Sequence, residues 1–114
     1  MPTVVVKGSG RSFRVGKLLC IGRNYVRHAE EMGSNVPEEP MVFLKPSSAL
    51  ISSGQSILLP GRSTSVHHEV ELVVLIGKRS RNVKREEATR SIAGYAVGLD
   101  MTARDLQAKA KKSG

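Results

Sequence analysis

Three acidic residues in the second half of the chain have the types and spacing to do chemistry. Glu69 and Glu71 lie two apart in the run VHHEVELVVLI, which in a strand sends both carboxylates to one face with roughly 6.5–7 Å between their Cα atoms. If that face is buried without a counter-ion, desolvation and mutual repulsion force one carboxyl to hold a proton at neutral pH. A cation removes the problem. Asp100 is the third candidate, at the end of the neutral run YAVGLDM, where Ala96 and Gly98 on its own face leave room beside it. Carboxylate oxygens without thiolates favour Mg²⁺, Mn²⁺ or Ca²⁺ over Zn²⁺. The competing reading is a strand whose acidic residues simply line a wet face.

A second constellation is His28 and Glu31, which three-residue helical spacing places together, so that the carboxylate accepts one ring N–H while the other nitrogen meets a water or a substrate. That is a general-base dyad, or else a chance contact on an amphipathic surface helix. His67 shares the odd-numbered face with Glu69 and Glu71, and His68 the opposite one. Both read as ordinary sheet histidines before they read as ligands. Cys20, inside LLCI, has no basic neighbour or helix start to lower its pKa and reads as a small core residue.

The elements that must position these groups are legible from pattern. TVVVK (3–7) reads as a strand, GSGRS as a turn and LLCI (18–21) as a second strand, a hairpin-like start. Tyr25, His28/Ala29 and Met32 recur at helical spacing, with Asn24 as cap and Gly33 as stop. SNVPEEP is a loop, MVFLK a strand, and SSALI and SILLP two extended runs joined at Ser53-Gly54. Residues 66–76 form the longest strand candidate, KREEATRSIA (84–93) a helix closed by Gly94, and YAVGLDM a buried strand. Thr102 and Asp105 resemble a capping box opening a final helix with Ala103, Leu106 and Ala110 on its apolar face. The fold class expected is mixed, β-rich α+β.

The chain has 114 residues and one cysteine, so one small domain or part of a larger one is expected, without an internal disulfide and in a reducing compartment. No run approaches the roughly 18 apolar residues that span a bilayer, and no apolar leader with a cleavage site opens the sequence. Lys and Arg number 18 against 10 Asp and Glu, a formal +8. Nucleic acid is nonetheless not the expected partner, because the four aromatics are not interleaved with the basic clusters as a stacking surface requires. The cations gather in Lys78–Arg90 and in the Lys109, Lys111, Lys112 tail, as on a solvated loop and helix face. Residues 1–27 carry six cations and no acid, the composition of a mitochondrial transit peptide, but their strand pattern points to the cytoplasm.

IGRNYVRHAEEMG, FLKPSSALI, HHEVELVVLIGK and GYAVGLDMTARDLQ follow one another in an order that resembles the fumarylacetoacetate hydrolase family, of the acylpyruvate hydrolase and oxaloacetate decarboxylase type, over about residues 17–112. The resemblance implies a β-sandwich roll, usually homodimeric, with Glu69, Glu71 and Asp100 holding Mg²⁺ or Mn²⁺. It implies His28 and Glu31 as the catalytic pair, and substrate contacts at Lys45, Arg104 and Gln107, with Arg23 and Tyr25 as further candidates. It also implies that residues 1–114 are the N-terminal portion of a catalytic domain, since family members continue past the KKxG segment with more strands, an active-site lysine and a closing loop.

The activity so implied is metal-dependent cleavage of a C–C bond in a 2,4-dioxo acid or oxaloacetate, with the excess positive charge drawing in a dianion. Two rivals stand beside it. One is a related isomerase or hydratase of aromatic breakdown, which shares the metal ligands without needing His28 and Glu31. The other is a non-catalytic basic fragment that binds an acidic partner.

Overall fold

The computed structural model describes residues 1–22, 33 and 39–114, which fall into two units, Met1–Gln55 and Ser56–Gly114. The first unit opens on β1 (Thr3–Val5) and β2 (Ser12–Arg14), an antiparallel pair with Val4 opposite Phe13. The turn between them needs left-handed backbone at Gly8 (φ 85°) and Gly10 (φ 68°), which glycine adopts without the Cβ clash. It closes through a 2.8 Å bond from the Val6 N–H to the Arg11 carbonyl, and the Arg11 guanidinium stands 5.1 Å from the Phe13 ring centroid. The hairpin at the start of the chain is therefore made with SFR and not with LLCI. Three residues offer too little alternation to be seen in the sequence.

LLCI belongs instead to β3 (Lys17–Gly22), which pairs antiparallel with β4 (Met41–Pro46), Cys20 facing Phe43 and Leu18 facing Lys45. Within residues 1–22 the basic N-terminal stretch forms the strands β1–β3. The helix expected over 24–32 lies outside the described residues. SSALI and SILLP do not form strands: Ser47–Ala49 is a 3₁₀ turn and residues 50–60 are irregular. Local turn bonds prevail there, the Leu50 N–H donating to the Ser47 carbonyl (3.1 Å) and the Ser52 N–H to the Gln55 side chain (2.7 Å).

The second unit is built on one long hairpin. β5 (Val66–Ile76) covers the expected eleven residues, and β6 (Ile92–Ala103) lies antiparallel to it over its whole length. The register slips by one residue between Leu75 and Ile76, which pair with Gly94 and Ile92 and leave Ala93 as the extra residue of a bulge. The predicted helix over 84–93 shrinks to a 3₁₀ turn, Arg85–Ser91, because the ladder recruits Ile92 and Gly94 into β6. The strand is longer than YAVGLDM and, within this chain, one of its faces is exposed and not buried. α1 (Arg104–Ser113) follows directly. The capping box does not form: Thr102 Oγ1 donates to the Asp100 carbonyl, Ala103 stands at the cap position outside the helix, and Asp105 turns elsewhere. The observed class is the expected mixture of small antiparallel sheets and short helices.

Candidate functional site

The β5–β6 register decides which side chains share a face. Glu69 stands opposite Asp100, Glu71 opposite Gly98, Val73 opposite Ala96 and His67 opposite Thr102. Since successive residues alternate sides, Glu69 and Glu71 share one face of the hairpin as their spacing requires, and the register adds Asp100 to it. All three are half-buried. Gly98 is needed beside Glu71, because a Cβ there would come within 2.7 Å of Val73 Cγ2.

Beyond the end of β6 the chain turns into α1 and delivers Arg104 back to this face. Its Nε–H and Nη2–H donate to the same oxygen, Glu69 Oε1, at 2.9 and 2.7 Å. The pair is half-buried, the two side chains being 28% and 23% exposed, so the contact is screened less than a surface pair. The backbone of Arg104 is anchored by its own N–H donating to the Ser65 carbonyl at 2.9 Å. Next to it, Asp105 accepts bonds from Ser63 Oγ (2.5 Å), the Thr64 N–H (2.9 Å) and Thr64 Oγ1 (3.3 Å), tying the loop ahead of β5 to the first turn of α1. These donors, the Ser63 hydroxyl first and the Thr64 N–H second, push its carboxyl down to about 2 from the ordinary 3.8. The sequence carries no local signal for this junction, because Asp105 and its partners are 41 and 42 residues apart.

Three carboxylates on one half-buried face, without a thiolate among them, suit a hard divalent cation. In the arrangement seen, no three His, Cys, Asp or Glu side chains among the described residues close around a common point, and Glu69 is engaged by Arg104. Of the other sequence-predicted residues, Gln107 lies on α1 one turn beyond Arg104 and is exposed, and Lys45 stands half-buried on β4 of the first unit. His28, Glu31, Arg23 and Tyr25 lie outside the described residues. Cys20 is half-buried on β3 and forms no disulfide. The basic loop 78–91 forms a shallow depression of about 260 Å³ lined by Lys78, Arg79, Arg81 and Arg90 among others, and by none of the three carboxylates.

Residues 17–114 match the family model described as fumarylacetoacetate hydrolase, C-terminal, and the chain belongs to that family. Among its relatives, the mitochondrial oxaloacetate tautomerase of Arabidopsis thaliana is 52% identical over 105 residues, a match that takes in 91% of this chain and 47% of the relative. The oxaloacetate tautomerase of Escherichia coli is 49% identical over 108 residues, covering 95% of this chain and 49% of the relative. The fumarylpyruvate hydrolase of Pseudomonas aeruginosa, solved in complex with Mn²⁺ and pyruvate, superposes with a TM-score of 0.87 at 40% identity, over 99% of this chain and 51% of that one. The chain thus spans about half the length of the relatives it matches. No helix among the described residues is long and apolar enough to cross a membrane.

Proposed function

We propose that this chain supplies the cation-binding half of a site that forms the enolate of a small 2-oxo acid. The observation that carries the reading is the β5–β6 register, which puts Glu69, Glu71 and Asp100 on one face with Arg104 beside them. It is supported by the Mn²⁺ and pyruvate in the related fumarylpyruvate hydrolase. In this reading Glu69, Glu71 and Asp100 hold Mg²⁺ or Mn²⁺, which supplies the Lewis acidity that stabilises an enolate oxygen. The Arg104 guanidinium meets a carboxylate of the substrate as a planar, permanently charged donor, and the Gln107 amide one turn along α1 adds a neutral one. Roles for Lys45, Arg23 and Tyr25 in substrate binding rest on the sequence resemblance, as do those of His28, held by Glu31, in activating a water.

The reaction we assign is cleavage of a C–C bond in a 2,4-dioxo acid or in oxaloacetate, hydrolytic where the dyad activates water and decarboxylative where enolate stabilisation suffices. A second reading, enol–keto tautomerisation of oxaloacetate, is favoured by the names of the relatives at 49–52% identity and shares the same enolate. Homodimeric assembly and a cytoplasmic location belong to the proposal as well. So does completion of the catalytic domain by segments equivalent to those the relatives carry beyond the matched half.

The test is Mn²⁺ binding and pyruvate release measured on the protein and on the Glu69→Gln, Glu71→Gln, Asp100→Asn triple variant. The triple variant should lose at least about 100-fold in Mn²⁺ affinity, and unchanged affinity would remove the metal assignment. His28→Ala should reduce acylpyruvate hydrolysis by about 100-fold or more while sparing oxaloacetate turnover. Equal losses would make His28 a general positioning group.

A further inference from the structure

The register assembles three carboxylates on one face, yet among the described residues they do not close around a point, and Glu69 is already engaged by a cation. Both N–H groups of Arg104 converge on Glu69 Oε1, at 2.9 and 2.7 Å, in a half-buried pair. Glu69, Glu71 and Asp100 share this face, and Arg104 brings a positive charge to it at Glu69. A guanidinium cannot shed its charge by losing a proton, so a divalent cation arriving at Glu69 must share the carboxylate with it or displace it. Sharing places a single and a double positive charge side by side in a half-buried setting.

Displacement does not require the helix to move. The Arg104 N–H is bonded to Ser65 and the neighbouring Asp105 to Ser63 and Thr64, so the start of α1 is held independently of the ion pair. The guanidinium can leave Glu69 by side-chain rotation alone, with the helix in place.

We propose that Arg104 is the counter-ion Glu69 keeps until a divalent cation arrives, and that cation binding exchanges the guanidinium off Glu69 and releases it to a substrate carboxylate. The inference rests on the metal reading above and adds to it an order of events, cation before acid. It also makes Arg104 a brake on cation affinity in the substrate-free protein. Charges of +1 and +2 about 6 Å apart repel by about a factor of ten in affinity even at the dielectric of water.

The experiment uses the full chain and Mn²⁺ as the probe, following the signal of free Mn²⁺ by electron paramagnetic resonance. Arg104→Gln should bind Mn²⁺ about tenfold more tightly than the unaltered chain. Arg104→Lys, which keeps the charge, should stay within about threefold of it. Glu69→Gln should bind more weakly. If Arg104→Gln leaves the affinity unchanged or lowers it while Glu69→Gln still loses Mn²⁺, the exchange is overturned and the metal site stands. If the unaltered chain and Glu69→Gln behave alike, the metal site itself is overturned, and the exchange with it.

A second measurement needs no variant of Arg104. With diamagnetic Mg²⁺, the Arg104 Nε–H resonance of the unaltered chain should move toward that of a solvent-exposed arginine. A resonance that stays fixed as Mg²⁺ saturates the chain would overturn the exchange.

Discussion

On one face of the β5–β6 hairpin stand Glu69, Glu71 and Asp100; on the other, Val70, Leu72 and Val74 of β5 lie opposite Leu99, Val97 and Tyr95 of β6. The carboxylate face is half-buried and Arg104 reaches it from the helix that follows. The apolar face is open, its six side chains between 42% (Val74) and 78% (Val97) exposed. One backbone carries both, so the contrast comes from what each face requires. Charged groups need only a few directed partners, and for Glu69 the unit supplies Arg104 from its own sequence. An apolar face needs area, and an adjacent cross-strand apolar patch of this kind is a packing surface when left uncovered.

The largest effect is expected on the apolar face. The 114-residue chain should self-associate in a concentration-dependent way, and the uncharged pair Leu72→Gln with Val97→Gln should return it to the 12.3 kDa of one chain in light scattering. A variant that still associates fully would locate the contact elsewhere. Because these substitutions lie on the opposite side of the sheet, they should leave Mn²⁺ affinity within about threefold, as separated sites do. A large loss would mean the two faces are not independent.

A smaller effect is expected at Gly98. A valine there must displace Val73, since even its Cβ would lie 2.7 Å from Val73 Cγ2. The cost should be about 1–3 kcal/mol in denaturant unfolding. Mn²⁺ affinity should fall with it, because the displaced region flanks Glu71. Full stability in this variant would show that β5 and β6 can separate locally without penalty.

The smallest effect is expected at Asp105. Its carboxyl is held at about 2 against an ordinary 3.8, so the stabilisation it contributes is complete above the higher value and is lost as pH falls through the lower one. Asp105→Asn should lower the thermal midpoint by a few degrees at neutral pH and flatten its dependence between about pH 4 and pH 2. Equal acid sensitivity in the two proteins would deny that Asp105 holds the Ser63–Thr64 loop.

What the sequence determined by itself was the local part. Period-two alternation set the bounds of β5 and the side on which each of its residues lies, because alternation is a property of the extended backbone and needs no partner. That Glu69 and Glu71 share a face was legible for the same reason, while Asp100 joined them only through the strand pairing, and four ordered motifs carried the family. Tertiary structure decided the pairings. LLCI found its partner in β4, and SFR took the place beside β1 that LLCI had been expected to fill. The 84–93 helix was shortened by the ladder that claimed Ile92 and Gly94. Asp105, which looked like a helix cap, bonds residues 41 and 42 positions away, and Arg104 reaches across 35 to Glu69. Contacts of that separation leave no periodic trace in sequence. They depend on how the ends of two strands and a helix meet in space, and only the folded chain sets that geometry.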